Sequence, residues 1–212
     1  MSCIATESLG KAWINLVKQT LESGVPVNDE FQELLAVQVA FPASNEKDAI
    51  IEQLGDRQLM AEMEKVFFTE SENALGHSYA GLMTGPGGRN DLQDVIALLK
   101  AEPFSKRAVV TLAGRGNGKV PCINVVQFLI RNGVVHTLYF ARGQDAFRKF
   151  YADGLCLAGM ARRVAAGLGL PAGALEGFIG SSHVYHHDRT AIDRFLALGT
   201  ELLSGSQKNG DR

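Results

Sequence analysis

Only three cysteines occur in 212 residues, Cys3, Cys122 and Cys156. An odd count without metal-ligand spacing argues against both a disulfide framework and a zinc site, and implies a reducing, cytoplasmic setting. No apolar run approaches the roughly 20 residues that span a bilayer, so no membrane segment is expected. Met1 to Gly10 lacks a basic region leading into an apolar stretch, which argues against a signal peptide. An excess of one charge is also missing. The formal net charge is −2, too small a field to gather nucleic acid or anionic lipid. Any phosphate site must therefore be built locally. With 46% hydrophobic and 21% charged residues, the composition is that of an ordinary soluble globular protein. The length suits one domain over 1–212 with a substantial core.

Periodicity supplies the elements. Leu9, Trp13, Leu16, Val17 and Leu21 predict an amphipathic helix over Thr6 to Ser23, closed by Gly24 and Pro26. Leu34 to Phe41 reads as a strand ending before Pro42. Asn45 to Val66 reads as helix with an interruption at Gly55-Asp56, and Asp91 to Lys100 as a short helix. Arg107 to Leu112 reads as a buried strand, and Gly114 to Lys119 as a Gly-rich loop. Cys122 to Ile130 and Val134 to Phe140 flank Arg131-Asn132-Gly133, a strong hairpin signal. Leu155 to Leu168 is an Ala-rich central helix, Phe178 to Tyr185 a strand, and Thr190 to Leu203 a closing helix. Residues 204–212 read as a frayed polar tail. Strands and helices mix without strict alternation, so the class is α/β (or α+β), a mixed sheet flanked by helices.

Chemistry-bearing residues each have two readings. Cys122 is either an inert core thiol or a nucleophile, and a nucleophile needs nearby positive charge, for which Lys106, Arg107 and Arg142 are candidates. Arg142-Gly143-Gln144-Asp145 is either a polar turn or a strand-end phosphate site using the Arg as a bidentate donor. His183 and Tyr185 alternate on a strand and so face one side. His186-His187-Asp188 reads as a turn or cap, since adjacent histidines on a strand point apart, and no metal is expected. Gly85-Pro86-Gly87-Gly88 lacks the Lys-Ser/Thr of a P-loop and reads as a turn.

Taken in order, these pieces resemble the thymidylate synthase superfamily. The series PCINVVQF, RNGVVHTLYFARGQD, FYADGLCLAGMARRVAAGLGL and FIGSSHVY follows that family's catalytic strand, hairpin, phosphate-binding Arg, helix and His-x-Tyr strand. The match is continuous from about Ser105 to Tyr185, with a weaker upstream piece at Leu75-Gly76-His77-Ser78-Tyr79. The resemblance implies a single domain of that fold, a cytoplasmic homodimer with sheets face to face, and methylenetetrahydrofolate as cofactor. It casts Cys122 as the nucleophile that adds to C6 of a pyrimidine nucleoside monophosphate, and Arg142 as its phosphate ligand. Lys106 and Arg107 fall on basic residues given across the dimer interface, and Gln127 on a Gln of the active-site strand. Tyr79 falls on a proton-relay Tyr, Asp145 on a folate contact, and His183 with Tyr185 on the pair that bonds the sugar hydroxyl.

Departures from the pattern carry the finer reading. The base-reading Asn is Asp153 here, an acceptor when ionised, which suits the amino group of cytosine and resembles the dCMP and CMP hydroxymethylases. Gly143, Ile123 and Ser181 replace a Ser, a His and an Asp of the family, and Lys149-Phe150-Tyr151-Ala152-Asp153 replaces its Gly-x-Pro-x-Asn. The catalytic Glu has no clear counterpart; counting back from Gly55-Asp56 gives Asp48, with Glu46 and Glu52 nearby. The activity this implies is hydroxymethylation of a cytosine nucleotide at C5. Its rivals are a divergent thymidylate synthase acting on dUMP or a related pyrimidine, and a non-catalytic binding or scaffold relative.

Overall fold

The computed structural model describes residues 2–45, 47–72, 78–85, 89–112 and 120–208. Five of the sequence readings fall wholly or partly outside them: Glu46, the Leu-Gly-His piece at 75–77, the Pro-Gly-Gly at 86–88, the Gly-rich loop at 114–119 and the end of the polar tail at 209–212. In chain order the elements are β1 (Ser2–Ala5), α1 (Leu9–Ser23), β2 (Val25–Pro26), β3 (Phe31–Pro42), α2 (Ala49–Leu54) and α3 (Arg57–Phe68). Next come α4 (Tyr79–Met83), β4 (Thr84–Gly85), β5 (Arg89–Asn90), α5 (Asp91–Ala101), β6 (Val109–Thr111), β7 (Ile123–Arg131) and β8 (Val134–Asp145). Then follow α6 (Phe150–Leu168), β9 (Ala172–Tyr185), a 3-10 turn (His186–Asp188) and α7 (Arg189–Lys208).

Among the described residues seven strands form one sheet in the order β1-β3-β9-β8-β7-β6, with β2 on the flank of β3. The β1/β3 and β8/β9 pairs are parallel and the others antiparallel. Helix and strand are both abundant, 47% and 32%, so the mixed α/β class read from the sequence holds. Helices α1 and α6 pack on the sheet, α6 carrying α3 and α5 and α1 carrying α7. On β8, Val135, Thr137 and Tyr139 are buried beneath them, whereas Phe140 on the alternate face is 39% exposed.

The hairpin forms as its signal requires. Asn132 and Gly133 both take positive φ, 52° and 76°, the type I′ geometry that sets Arg131 opposite Val134. The interruption at Gly55-Asp56 is also real, because Asp56 caps α3 through the backbone N–H groups of Gln58 and Leu59. Helix α1 starts at Leu9 rather than Thr6, since Ser8 is the cap. Most remaining differences are extensions. Strands β8 and β9 run well beyond Val134–Phe140 and Phe178–Tyr185, and α6 begins at Phe150. The Arg-Gly-Gln-Asp segment is strand and not a turn, because Gly143, Gln144 and Asp145 pair with Ser181, Ser182 and His183. Tertiary pairing overrides local polarity there. Helix α7 continues to Lys208.

A kink crosses the sheet. The β3/β9 ladder omits Ala36 opposite Gly180, and the β8/β9 ladder omits Arg142 opposite the same glycine. Next to them Asn124 bulges out of the β7/β8 pairing. Ala36 sits at φ 57°, the left-handed region that costs an alanine about 1–2 kcal/mol. Gly180 is required by close approach: a Cβ there would stand 2.8 Å from the Arg142 carbonyl oxygen.

Alternation inverts across this line. On β9 Leu175 and Ile179 are buried before it, Ser182 and Val184 after it. Past the kink the Ser182 hydroxyl meets Thr20 of α1 at 2.7 Å, and Gln144 turns toward α6. Gly180→Ala should therefore lose about 1–3 kcal/mol of stability in chemical denaturation. An unchanged midpoint would show that the kink accepts a Cβ.

Candidate active site

Cys122 lies one residue before β7, half-buried, where the kink meets the hairpin. Its carbonyl oxygen accepts the Arg142 backbone N–H at 2.9 Å. The Arg142 guanidinium lies on the two residues before it: Nε donates to the Val120 and Pro121 carbonyls at 3.1 Å each, and Nη2 to Val120 at 2.7 Å. Asn124, the bulged residue, donates its side-chain amide back to the Pro121 carbonyl at 2.9 Å. The Pro121-Cys122 turn is thus held from both sides.

Tyr79, buried at the start of α4, accepts the Ile123 N–H on its hydroxyl at 3.3 Å and stacks near Phe67, centroids 4.2 Å apart. Burial, with Asp153 and Cys122 nearby, keeps its phenol firmly protonated. Asp153, in the first turn of α6, is 5% exposed, and its Oδ2 accepts the Gln144 Nε2–H at 2.9 Å. Its Oδ1 has no partner among the described residues. Burial pushes this carboxyl up to about 6, against the opposing pull of Gln144 and Lys149.

Asp145 accepts the Phe147 and Arg148 backbone N–H groups on Oδ1 at 3.1 and 2.8 Å, and is paired in the ladder with His183. Burial raises its carboxyl too, while His183 draws it down. His183 and Tyr185 share a face, ring centroids 5.4 Å apart, and the Tyr185 phenol feels both Asp145 and Cys122.

The structure therefore brings Cys122, Arg142, Asp145 and Asp153 together with Tyr79, His183 and Tyr185. It also corrects the account of the thiol. Arg142 favours the thiolate as expected, but burial is the larger influence and Asp153 adds to it, so the Cys122 pKa is raised. The charges that act most on it are Asp153, Arg142, Lys149 and Asp145, not Lys106 or Arg107. They lie just before β6, where Arg107 is exposed and paired with Glu102 at 2.7 Å. Gln127 donates to the Lys106 carbonyl at 2.8 Å and stands apart from the cluster.

Asp48 is occupied otherwise. Its Oδ1 caps α2 at Ile50 and Ile51, and its Oδ2 accepts the Gly10 N–H at 2.7 Å, tying α2 to α1. Glu52 sits in the first turn of α2 and is exposed. Sequence reasoning missed Gln144, Asn124 and Lys149 as participants. Gln144 could have been found from its place two residues after Arg142, had that segment been read as strand.

Beside the Asp145 turn lies a cavity of about 590 Å³, lined by Trp13, Leu59, Phe147, Lys149 and Tyr151 among others. Its size and aromatic walls fit a flat ring. The His186–Asp188 segment is the turn expected, with Asp188 ion-paired to Arg148. Among the described residues no group of His, Cys, Asp or Glu could hold a metal ion, no cysteine is in a disulfide, and no helix is long and apolar enough to cross a membrane.

No family model matches the chain. A protein of Methanocaldococcus jannaschii named "Putative thymidylate synthase" is 26% identical over 203 residues, 87% of this chain and 91% of its own. A protein of the same name from Methanothermobacter marburgensis is 21% identical over 205 residues, covering 86% and 92%. A third, from Methanothermobacter thermautotrophicus, is 26% identical over 123 residues, 56% of this chain and 55% of its own. These likenesses support the thymidylate synthase superfamily and a thymidylate synthase-like enzyme.

A buried carboxyl that keeps its proton to about pH 6, against an ordinary 3.8, binds more protons folded than unfolded between those values. It therefore costs stability as pH rises through that window. Asp153→Asn removes the ionisation, so the variant's melting temperature should gain on the parent's between pH 4 and pH 8. A gap that stays constant would mean that Asp153 titrates normally.

Proposed function

We propose that this protein transfers a one-carbon unit from methylenetetrahydrofolate to C5 of a cytosine nucleotide, CMP or dCMP, giving the hydroxymethyl product through a covalent adduct at Cys122. One observation carries the reading: Asp153, a buried carboxylate whose Oδ1 has no partner among the described residues, shares a site with the half-buried thiol of Cys122. An ionised carboxylate accepts the amino group of cytosine and repels the carbonyl of uracil.

In this reading the Arg142 guanidinium binds the nucleotide phosphate, and His183 and Tyr185 bond the sugar hydroxyl. Cys122 Sγ forms a bond to C6 as its proton departs, and the C5–C6 π pair moves onto C5, which becomes the attacking carbon. Tyr79, hydrogen-bonded to the residue after Cys122, is placed to relay protons. Bound folate supplies the one-carbon unit. Asp145 and the aromatic cavity beside it fit that cofactor's ring. Loss of the C5 proton as the carrier leaves would give an exocyclic methylene on the ring; water then adds to that carbon as Sγ departs from C6, which restores the C5–C6 double bond and leaves the hydroxymethyl group. Asp48 has no place in this scheme, because its oxygens already hold α1 and α2.

The relatives' name favours a second reading, methylation of a uracil nucleotide through the same adduct. Tritium release from C5-labelled CMP, dCMP and dUMP separates the two. Release from the cytosine nucleotides, abolished in Cys122→Ala, is expected; release from dUMP alone would replace the first reading with the second.

A homodimer accords with the open face of the sheet, where Leu35 is 58% exposed and Val109 and Phe140 are 39% exposed. Phe140 stacks on Phe178, centroids 5.9 Å apart, which places an apolar pair on neighbouring strands of that face. Sheets packed through this face would bring Lys106 and Arg107 of a second copy toward the phosphate. Sedimentation should show a dimer that Phe140→Glu weakens by at least tenfold. A concentration-independent monomer would remove that role for Lys106 and Arg107.

A further inference from the structure

Asp153 is held in an asymmetric way. Gln144, 2% exposed, donates its amide N–H to Oδ2, while Oδ1 is buried and lacks a partner among the described residues. Leaving a buried carboxylate oxygen unpaired is costly, of the order of 1–3 kcal/mol or more. An atom kept in that condition inside a candidate active site is positioned for a ligand. A carboxyl also has two oxygens on which a proton can sit. Because Oδ2 already accepts from Gln144, the proton, when present, goes to Oδ1.

We propose that Gln144 is a positioning residue for base choice. By occupying Oδ2 as a donor, it makes Oδ1 the atom that meets the pyrimidine edge, an acceptor toward a ring amino group when ionised and an O–H donor toward a ring carbonyl when protonated. The inference rests on the reading that Asp153 faces the base. It adds that one carboxyl can serve cytosine or uracil according to its proton, and that Gln144 holds it on the cytosine side near neutrality.

The surroundings support this. The groups that act electrostatically on Asp153, or feel it, come from every element around it. They are Lys149 and Cys156 on α6 and its start, Tyr139 and Asp145 on β8, Cys122 before β7, and Tyr79 on α4. The tyrosines and thiols are raised by burial and stay neutral across the mildly acidic range. Lys149 favours the ionised Asp153 and Asp145 opposes it. The Gln144 donor then tips the balance, in a carboxyl that burial has lifted to about 6.

The test measures affinities of CMP and UMP by calorimetry from about pH 5 to pH 8, for the parent, Gln144→Met and Asp153→Asn. The ratio of the two affinities is the readout, because ionisation of the nucleotide phosphate near pH 6 affects both ligands alike. The parent ratio should shift toward UMP as pH falls, by up to about tenfold per pH unit. In Gln144→Met, which keeps length but loses the donor, the shift should begin at a higher pH. In Asp153→Asn it should vanish.

A ratio that is flat with pH while both nucleotides bind would overturn the inference and leave the functional reading intact. Persistence of the shift in Asp153→Asn would also overturn it, by assigning the effect to Asp145 or another group. Binding of neither nucleotide, as the ribo or the deoxyribo form, would overturn both. The parent and Asp153→Asn decide the matter even if Gln144→Met does not fold.

Discussion

Everything at the candidate site depends on the line where Ala36, Arg142 and Gly180 drop out of the β-ladders. A regular strand sends alternate side chains to the same face along its whole length. Here the faces exchange at the kink, so one strand can bury Tyr139 and Ala141 under the helices and then turn Gln144 to them as well. Asp145, His183 and Tyr185 take the other direction. The strain of a left-handed alanine and the need for a bare glycine are the local costs of gathering a thiol, a cation and a carboxylate around one kink.

Burial is the second organising force, and it acts against charge throughout the cluster. Cys122, Asp145, Asp153, Tyr79 and Tyr185 are all shifted toward their neutral forms, desolvation being the largest cause for each. It is opposed by Arg142 and Lys149 for the thiol, by backbone N–H groups and His183 for Asp145, and by Gln144 and Lys149 for Asp153. Shifts in this direction limit the cost of keeping ionisable groups indoors.

Much of this was legible in the sequence. The Asn-Gly turn, the Ala-rich helix and the break at Gly55-Asp56 each carry a local signal with a physical cause, and each appears in place. Cys122, Arg142, Asp153 and the His183-Tyr185 pair could be ordered along the chain by resemblance, and the fold brings them together. What could not be read was non-local. β1 is four residues with one buried side chain, Ile4, too short to show a period. The polar end of β8 is strand only because β9 pairs with it. Asp48 matches a position by counting, yet its oxygens are committed to Ile50, Ile51 and Gly10, an engagement that no spacing rule reveals. The Gln144–Asp153 bond joins a strand to a helix nine residues on, a separation with no regular period.

The guanidinium of Arg142 has a further consequence. In the resting protein its donors hold the carbonyl oxygens of Val120 and Pro121. On the proposal that Arg142 binds phosphate, those oxygens hold the cation in orientation until an oxyanion takes their place. The exchange would then release the two residues that directly precede Cys122, coupling occupancy of the cation to the freedom of the thiol.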